Sequence, residues 1–265
     1  MNNILIGVIS GIAAAVLARA VVRDRQNHRR LYQMIFVLTL AICFSAIKLA
    51  APHRQTDSEL SEQMDRAFAN NPVYVAIKQY EPALYAEIKN EFKTGLQSGQ
   101  KPEDMIEPIV ARLLPVFSKY VPNASNEAVV RFMHAMVSSL QQLRAPSGEL
   151  CYDYMFPSPG TVRMPHRQLD PATQKEVMES IAQVIRSAAV APRTPPQARD
   201  VTPYLEPIMA DLREKYGPPV MQMQNPRAPD VDKHLICNVT IDLYTRILEL
   251  PEDESGSLIR YLAAP

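Results

Sequence analysis

The chain has 265 residues, enough for one ordinary domain plus a membrane anchor, and its 28 basic and 28 acidic side chains cancel. The cancellation hides a split: residues 1–54 hold seven Lys/Arg and one acid, a balance of +6, which leaves 21 basic and 27 acidic residues, a balance of −6, for 55–265. So acidic a remainder argues against nucleic acid as a partner, the 47% apolar content argues against disorder, and 23 prolines against eight glycines forbid long uninterrupted strands or helices.

Two apolar segments, 3–22 and 31–51, open the chain. Each is long enough to cross a hydrocarbon core of about 30 Å as a helix. Arg19 and Lys48 lie close enough to segment ends to reach the headgroups, and Tyr32 suits an interface. A cleaved signal peptide is the competing reading, since Ala18-Arg19-Ala20 resembles a small-x-small cleavage site. The uncharged residues before the first segment and the second apolar segment that follows at once argue against it.

The connector carries Arg19, Arg23, Arg25, Arg29 and Arg30 against the single acid Asp24. Short basic loops stay on the cytoplasmic side, so the N-terminus and everything after residue 54 are expected on the opposite face. For a bacterial chain that is the periplasmic side of the inner membrane, with the lipid bilayer as first partner. Gly7, Gly11 and Ala15 put small residues on one face of the first span, which lets it approach the second span or another copy closely. The expected organisation is therefore a transmembrane helical hairpin (1–54) followed by an all-α extracytoplasmic domain (55–265).

Within that domain an amphipathic helix is expected from Asp57 to about Asn70, with Leu60, Met64 and Phe68 on its apolar face. A short apolar stretch, 73–80, precedes a helix that starts at Glu81-Pro82 and ends near Gly95 or Gly99. The next helix starts at Pro102-Glu-Asp, with Pro108 and Pro115 expected to kink or split it. Ser125 starts the clearest helix, to about Leu143, burying Val129, Phe132, Met133, Met136, Val137 and Leu140. Residues 145–169 read as a long loop, because five prolines and glycines interrupt them between Pro146 and Gly160, and Pro165 follows. A helix from Asp170 to about Val190 leads into a proline-rich linker, 192–196, and then a helix over 203–216 stopped by Gly217-Pro218-Pro219. Residues 221–229 are expected to be extended, 230–250 helical, and 254–262 a last helix. One phrase recurs: Glu107-Pro-Ile-Val-Ala-Arg-Leu113 and Glu206-Pro-Ile-Met-Ala-Asp-Leu212 agree at five of seven positions, which reads as repeated use of a good helix start.

Three cysteines are present. Cys43 falls in the second apolar segment as an inert side chain. Cys151 and Cys237 are an even pair on the oxidising side of a membrane, so a disulfide is expected between them. The competing chemistry is a thiol nucleophile activated by His134, His166 or His234. A disulfide would consume it, and no family signature surrounds either cysteine. His53, His134, His166 and His234 are scattered without metal-ligand spacing, and no phosphate-binding glycine loop or GxSxG is present. No cofactor, metal or catalytic residue is therefore expected. Asn123 and Asn238 fit a glycosylation pattern that matters only in a eukaryotic secretory route.

The expected function is non-enzymatic: an anchored helical domain that binds another protein or self-associates. Tyr152, Tyr154, Met155 and Phe156, with Met221 and Met223, are the candidate contact residues, since aromatics and Met are favoured at interfaces. A tethered hydrolase acting on an envelope substrate and a small oligomeric channel or transporter component are the alternatives.

Overall fold

The computed structural model describes residues 57–101, 105–156 and 168–264, and within them the protein is all-α with no strand. Among these residues no helix is long and apolar enough to cross a membrane. The expected spans 3–22 and 31–51, with Gly7, Gly11, Ala15 and the five connector arginines, lie outside the described residues, as do Cys43, His53 and His166.

The helices of the described residues are α1 (Asp57–Ala69), α2 (Pro72–Tyr80), α3 (Pro82–Gln97), α4 (Ile106–Tyr120), α5 (Asn126–Arg144), α6 (Gly148–Met155), α7 (Pro171–Val190), α8 (Ala198–Tyr216), α9 (Lys233–Leu248) and α10 (Glu252–Leu262). Five of them begin where a short polar side chain satisfies a free amide of the first turn. Asn71 Oδ1 accepts from Val73 N at 3.0 Å, Ser125 Oγ from Ala128 N at 3.2 Å, Asp170 Oδ1 from Thr173 N at 2.9 Å, and Asp232 Oδ1 from Leu235 N at 3.0 Å.

Five expectations need correction. Residues 72–80 form a helix of their own, because Asn71 caps it and Pro72 occupies its first position. The helix α4 is unbroken: Pro108 lies in its first turn, where no amide is needed, and Pro115 is carried within it. Residues 145–169 are not all loop, since α6 occupies 148–155. The helix α8 starts five residues before 203, with Gln197 and Asp200 forming a reciprocal cap; its two prolines, Pro203 and Pro207, leave the carbonyls of residues 199 and 203 without amide donors on an exposed face, where water can serve them. Residues 221–229 are not extended: a 3₁₀ segment, Pro218–Gln224, is followed by turns up to Asp230, so α9 starts at Lys233.

The core is built around α5. Its inner face buries Ala128, Val129, Met133, Val137, Leu140 and Leu143, and it packs against α6, α7, α9 and α10. A second cluster of Met64, Phe68, Ile88, Met105 and Ile109 joins α1, α3 and α4. There Phe68 stacks on Tyr74 at 4.4 Å and meets Tyr85 and Phe92 edge-on at 5.9 and 6.0 Å.

Two helices end alike. At the end of α4, Lys119 and Tyr120 both donate to Glu81; at the end of α8, Lys215 and Tyr216 both donate to Asp242. The bond from Lys119, opposed by burial and helped by Tyr120, holds the Glu81 carboxyl below its usual range. Burial and the same carboxylate push the Tyr120 phenol well above its own. The recurring Glu-Pro-Ile phrase belongs to these two helices. Its prolines stand differently, Pro108 in the first turn of α4 but Pro207 deep inside α8, so the phrase is not a shared helix start. What the two copies share is an isoleucine, Ile109 or Ile208, buried in a core.

The tightest polar knot lies between α5 and α10. Arg260 is only 4% exposed and faces no carboxylate. Its Nε donates to the Pro122 carbonyl at 2.9 Å, one amino group to Asn126 Oδ1 at 3.1 Å and the other to the Thr194 carbonyl. Pro122 sits in the 3₁₀ segment Val121–Asn123 directly after α4, the negative end of that helix dipole, which favours a cation there. Burial, with the Arg193 charge nearby, draws the guanidinium below its ordinary pKa. Asn126 in turn donates to Asp253 Oδ1 at 2.9 Å, so one side chain links both helix starts.

This knot needs α10 to touch α5, and Gly256 permits it: a Cβ there would stand 2.4 Å from Asn126 Cβ and 2.6 Å from its Cα. Backbone must move to admit a methyl group, and overpacking of this kind costs roughly 1–3 kcal/mol. Gly256→Ala is expected to lower unfolding stability by about 2 kcal/mol or more, read as a reduced urea midpoint by circular dichroism. An unchanged midpoint would remove the close approach from the account.

Candidate functional site

The sequence-derived candidates converge on α6. Ser147 Oγ accepts from Glu149 N at 3.2 Å and starts the helix. Gly148 follows, and a Cβ in its place would lie 2.3 Å from His234 Nδ1, so the imidazole packs directly against the helix at this point. One turn later Cys151 is bonded to Cys237 of α9, with Cα atoms 5.8 Å apart and both residues fully buried. The expected disulfide is present. It consumes both thiols of the described domain, which overturns the reading of a cysteine nucleophile served by His134 or His234.

The aromatic residues beside it are packing rather than an open surface. Tyr152 is buried and donates to the Pro226 carbonyl at 2.7 Å, while Tyr154 and Met155 pack on the main core. Burial pushes the Tyr154 phenol above its usual pKa. Phe156 lies 5.2 Å from the Tyr152 ring and under the Arg227 guanidinium at 5.8 Å; Lys233 lies 5.3 Å from the Tyr152 ring. Tyr152 and Phe156 thus hold the 226–233 segment onto α6, and none of the four is an exposed side chain. Of the two methionines named with them, Met221 is exposed and Met223 is half-buried, accepting from the Thr240 hydroxyl.

A different surface emerges along the outer face of α5. Glu127, Arg131, His134, Ser138 and Gln141 recur every three or four residues and form the floor of a groove about 21 Å long at 1.5 Å per residue. Two open depressions share His134 and Ser138. One, of about 370 Å³, is walled by Glu176 of α7 and Glu252 of α10; the other, of about 360 Å³, by Thr245 and Leu248 of α9 and the adjoining Glu249. The floor between the polar residues is apolar, with Val130, Ala135 and Val137 contributing.

The charges of this groove are unequally engaged. Arg131 is fully used: it binds Glu176 through two bonds of 2.7 and 3.0 Å, Gln183 at 2.7 Å and Glu179 at 3.3 Å, pinning α5 to α7. That pairing holds the Glu176 carboxyl below its usual pKa. Glu127, Glu249, Glu252 and His134 make no ion pair or side-chain hydrogen bond with the other described residues and are exposed. The Thr245 hydroxyl in the wall is buried without a partner. Glu127 and Glu252 stand in first turns, where a helix dipole favours an anion, but Glu249 closes the C-terminal end of α9, where it does not.

Among the described residues no three His, Cys, Asp or Glu side chains are gathered to hold a metal ion. No family model matches the chain, and no curated protein or solved structure is similar to it. The groove was missed in the sequence because it is assembled from four helices. Its one linear trace is the polar stripe of α5 opposite the apolar positions.

The disulfide is expected to support this whole region. Closing a separation of 86 residues restricts the unfolded chain by roughly 4 kcal/mol in the chain-entropy model. Cys151→Ser/Cys237→Ser should therefore lower the melting temperature by about 10 °C or more. Equal melting of the double variant and the unreduced protein would show that the bond constrains nothing.

Proposed function

We propose that the chain is a membrane-anchored, non-enzymatic envelope protein of the bacterial inner membrane. Its N-terminal hairpin, spans 3–22 and 31–51, holds the helical domain on the periplasmic side, where that domain binds a partner protein. The observation that carries this reading is the Cys151–Cys237 disulfide. Buried structural disulfides belong to oxidising compartments, and the arginine-rich connector between two apolar segments independently assigns residues 55–265 to the side away from the cytoplasm.

The partner-binding part of the reading draws on the shape and chemistry of the domain surface. Two depressions along α5 are open, and exposed carboxylates and a histidine line a surface long enough for a segment of another chain.

Topology fusions test the arrangement. Alkaline phosphatase, active only after export, is expected to be active when joined after residue 60 and inactive when joined after Gln26 in the connector. The reverse pattern would place the domain in the cytoplasm and overturn the reading.

A further inference from the structure

The geometry points to the groove on α5 as the docking site for a basic amphipathic helix of another protein. The inference rests on the partner-binding reading above and goes on to assign the surface and the chemistry of what occupies it.

Shape and charge each select the occupant. The surface runs about 21 Å along α5, some four helical turns; one half is bordered by Glu176 of α7 and Glu252 of α10, the other by the end of α9 alone. Between the polar side chains, the half-buried Val130 and Leu248 offer apolar contacts to side chains projecting at i, i+3/i+4 and i+7 from one face of a helix. The rim then meets the flanks of that helix, and there the uncompensated charge is negative: Glu127 and Glu252 at one end, Glu249 on the wall. Arg131, the cation that lies among them, is spent on Glu176, Glu179 and Gln183. Lys or Arg side chains on the partner's flanks would supply the missing charge, steering encounter and fixing orientation. Glu249 is the telling member, since its position at a helix C-terminus costs α9 a little stability. Ser138 marks the middle of the floor, shared by both halves of the groove, and a large side chain there would fill it.

The test uses the full chain in nanodiscs of phosphatidylcholine and a fluorescent Leu/Lys amphipathic peptide of about 16 residues, read by anisotropy against empty discs. A Leu/Glu peptide of the same length is the control. The expected result is saturable binding of the Leu/Lys peptide alone, weakened about tenfold by Ser138→Trp and by Glu249→Lys. Glu249→Lys suits the dipole of α9 and so preserves the fold even if Ser138→Trp does not. Binding of both peptides alike, binding indifferent to Ser138→Trp in a protein of unchanged melting, or no binding at all would overturn the assignment. Loss of a homodimer in the Ser138→Trp protein would also overturn it, by making a second copy the occupant. Recovery of partners from solubilised membranes separates the two levels. A partner held equally by wild type and Ser138→Trp leaves the binding function standing and removes the groove from it.

Discussion

The bond between Cys151 and Cys237 is the constraint on which the rest of the domain leans. It fastens α6, a helix of two turns, onto α9, and both lie against α5, which also carries α7 and α10. A helix this short has little stability of its own, because nucleation costs several fixed residues before any bond is returned. Three independent contacts hold α6 in place: the serine cap at its start, the close seat of His234 on Gly148, and the disulfide one turn on. The aromatic residues that follow then fix the irregular 226–233 segment that leads into α9. On the opposite end of α5, the buried Arg260 plays the matching part without any covalent bond, gathering carbonyls from the 3₁₀ turn and the proline-rich linker. The hub helix is thus secured at one end by sulfur and at the other by a guanidinium.

That arrangement leaves one long face of α5 uncovered. Its neighbours reach it from both sides but do not close over it, and the residues on that face are the ones a packed helix would not place there: His134, Ser138 and Gln141. An exposed polar stripe is the ordinary outer face of an amphipathic helix. What sets this one apart is the pair of depressions that share His134 and Ser138 and the unpaired acids along them. In the proposed reading, an anchored domain with an open acidic channel serves as a receiver for another chain, and the membrane hairpin fixes where the two meet.

Much of the fold is legible in the sequence. Helix starts were visible wherever Ser, Asp or Pro preceded an apolar stripe, as at Asp57, Ser125 and Asp170, and the apolar face of α5 could be read residue by residue. Several of the failures share one physical cause, the reading of proline as a boundary: Pro115 and Pro203 are both carried inside helices. The prolines around 146–165 concealed α6, although Ser147 followed by Gly148-Glu149 was a usable cap signal. The disulfide was foreseeable from compartment logic and cysteine parity. The aromatic residues beside it could be read either as a contact surface or as core, because sequence does not reveal which face a short, cross-linked helix turns inward; Tyr152 is buried and the other three are half-buried. The groove could not be read at all, since its walls come from helices some 50 and 110 residues away from its floor.

The account stands most directly on the state of the cysteines in living cells. Cells expressing the full chain can be quenched in acid and denatured, and their free thiols tagged with a maleimide large enough to shift the protein on a gel. Of the three cysteines, only Cys43 is predicted to take a tag before reduction, and all three after it. Three tags without reduction would contradict the disulfide as the organising bond of the domain and remove the main support for its export.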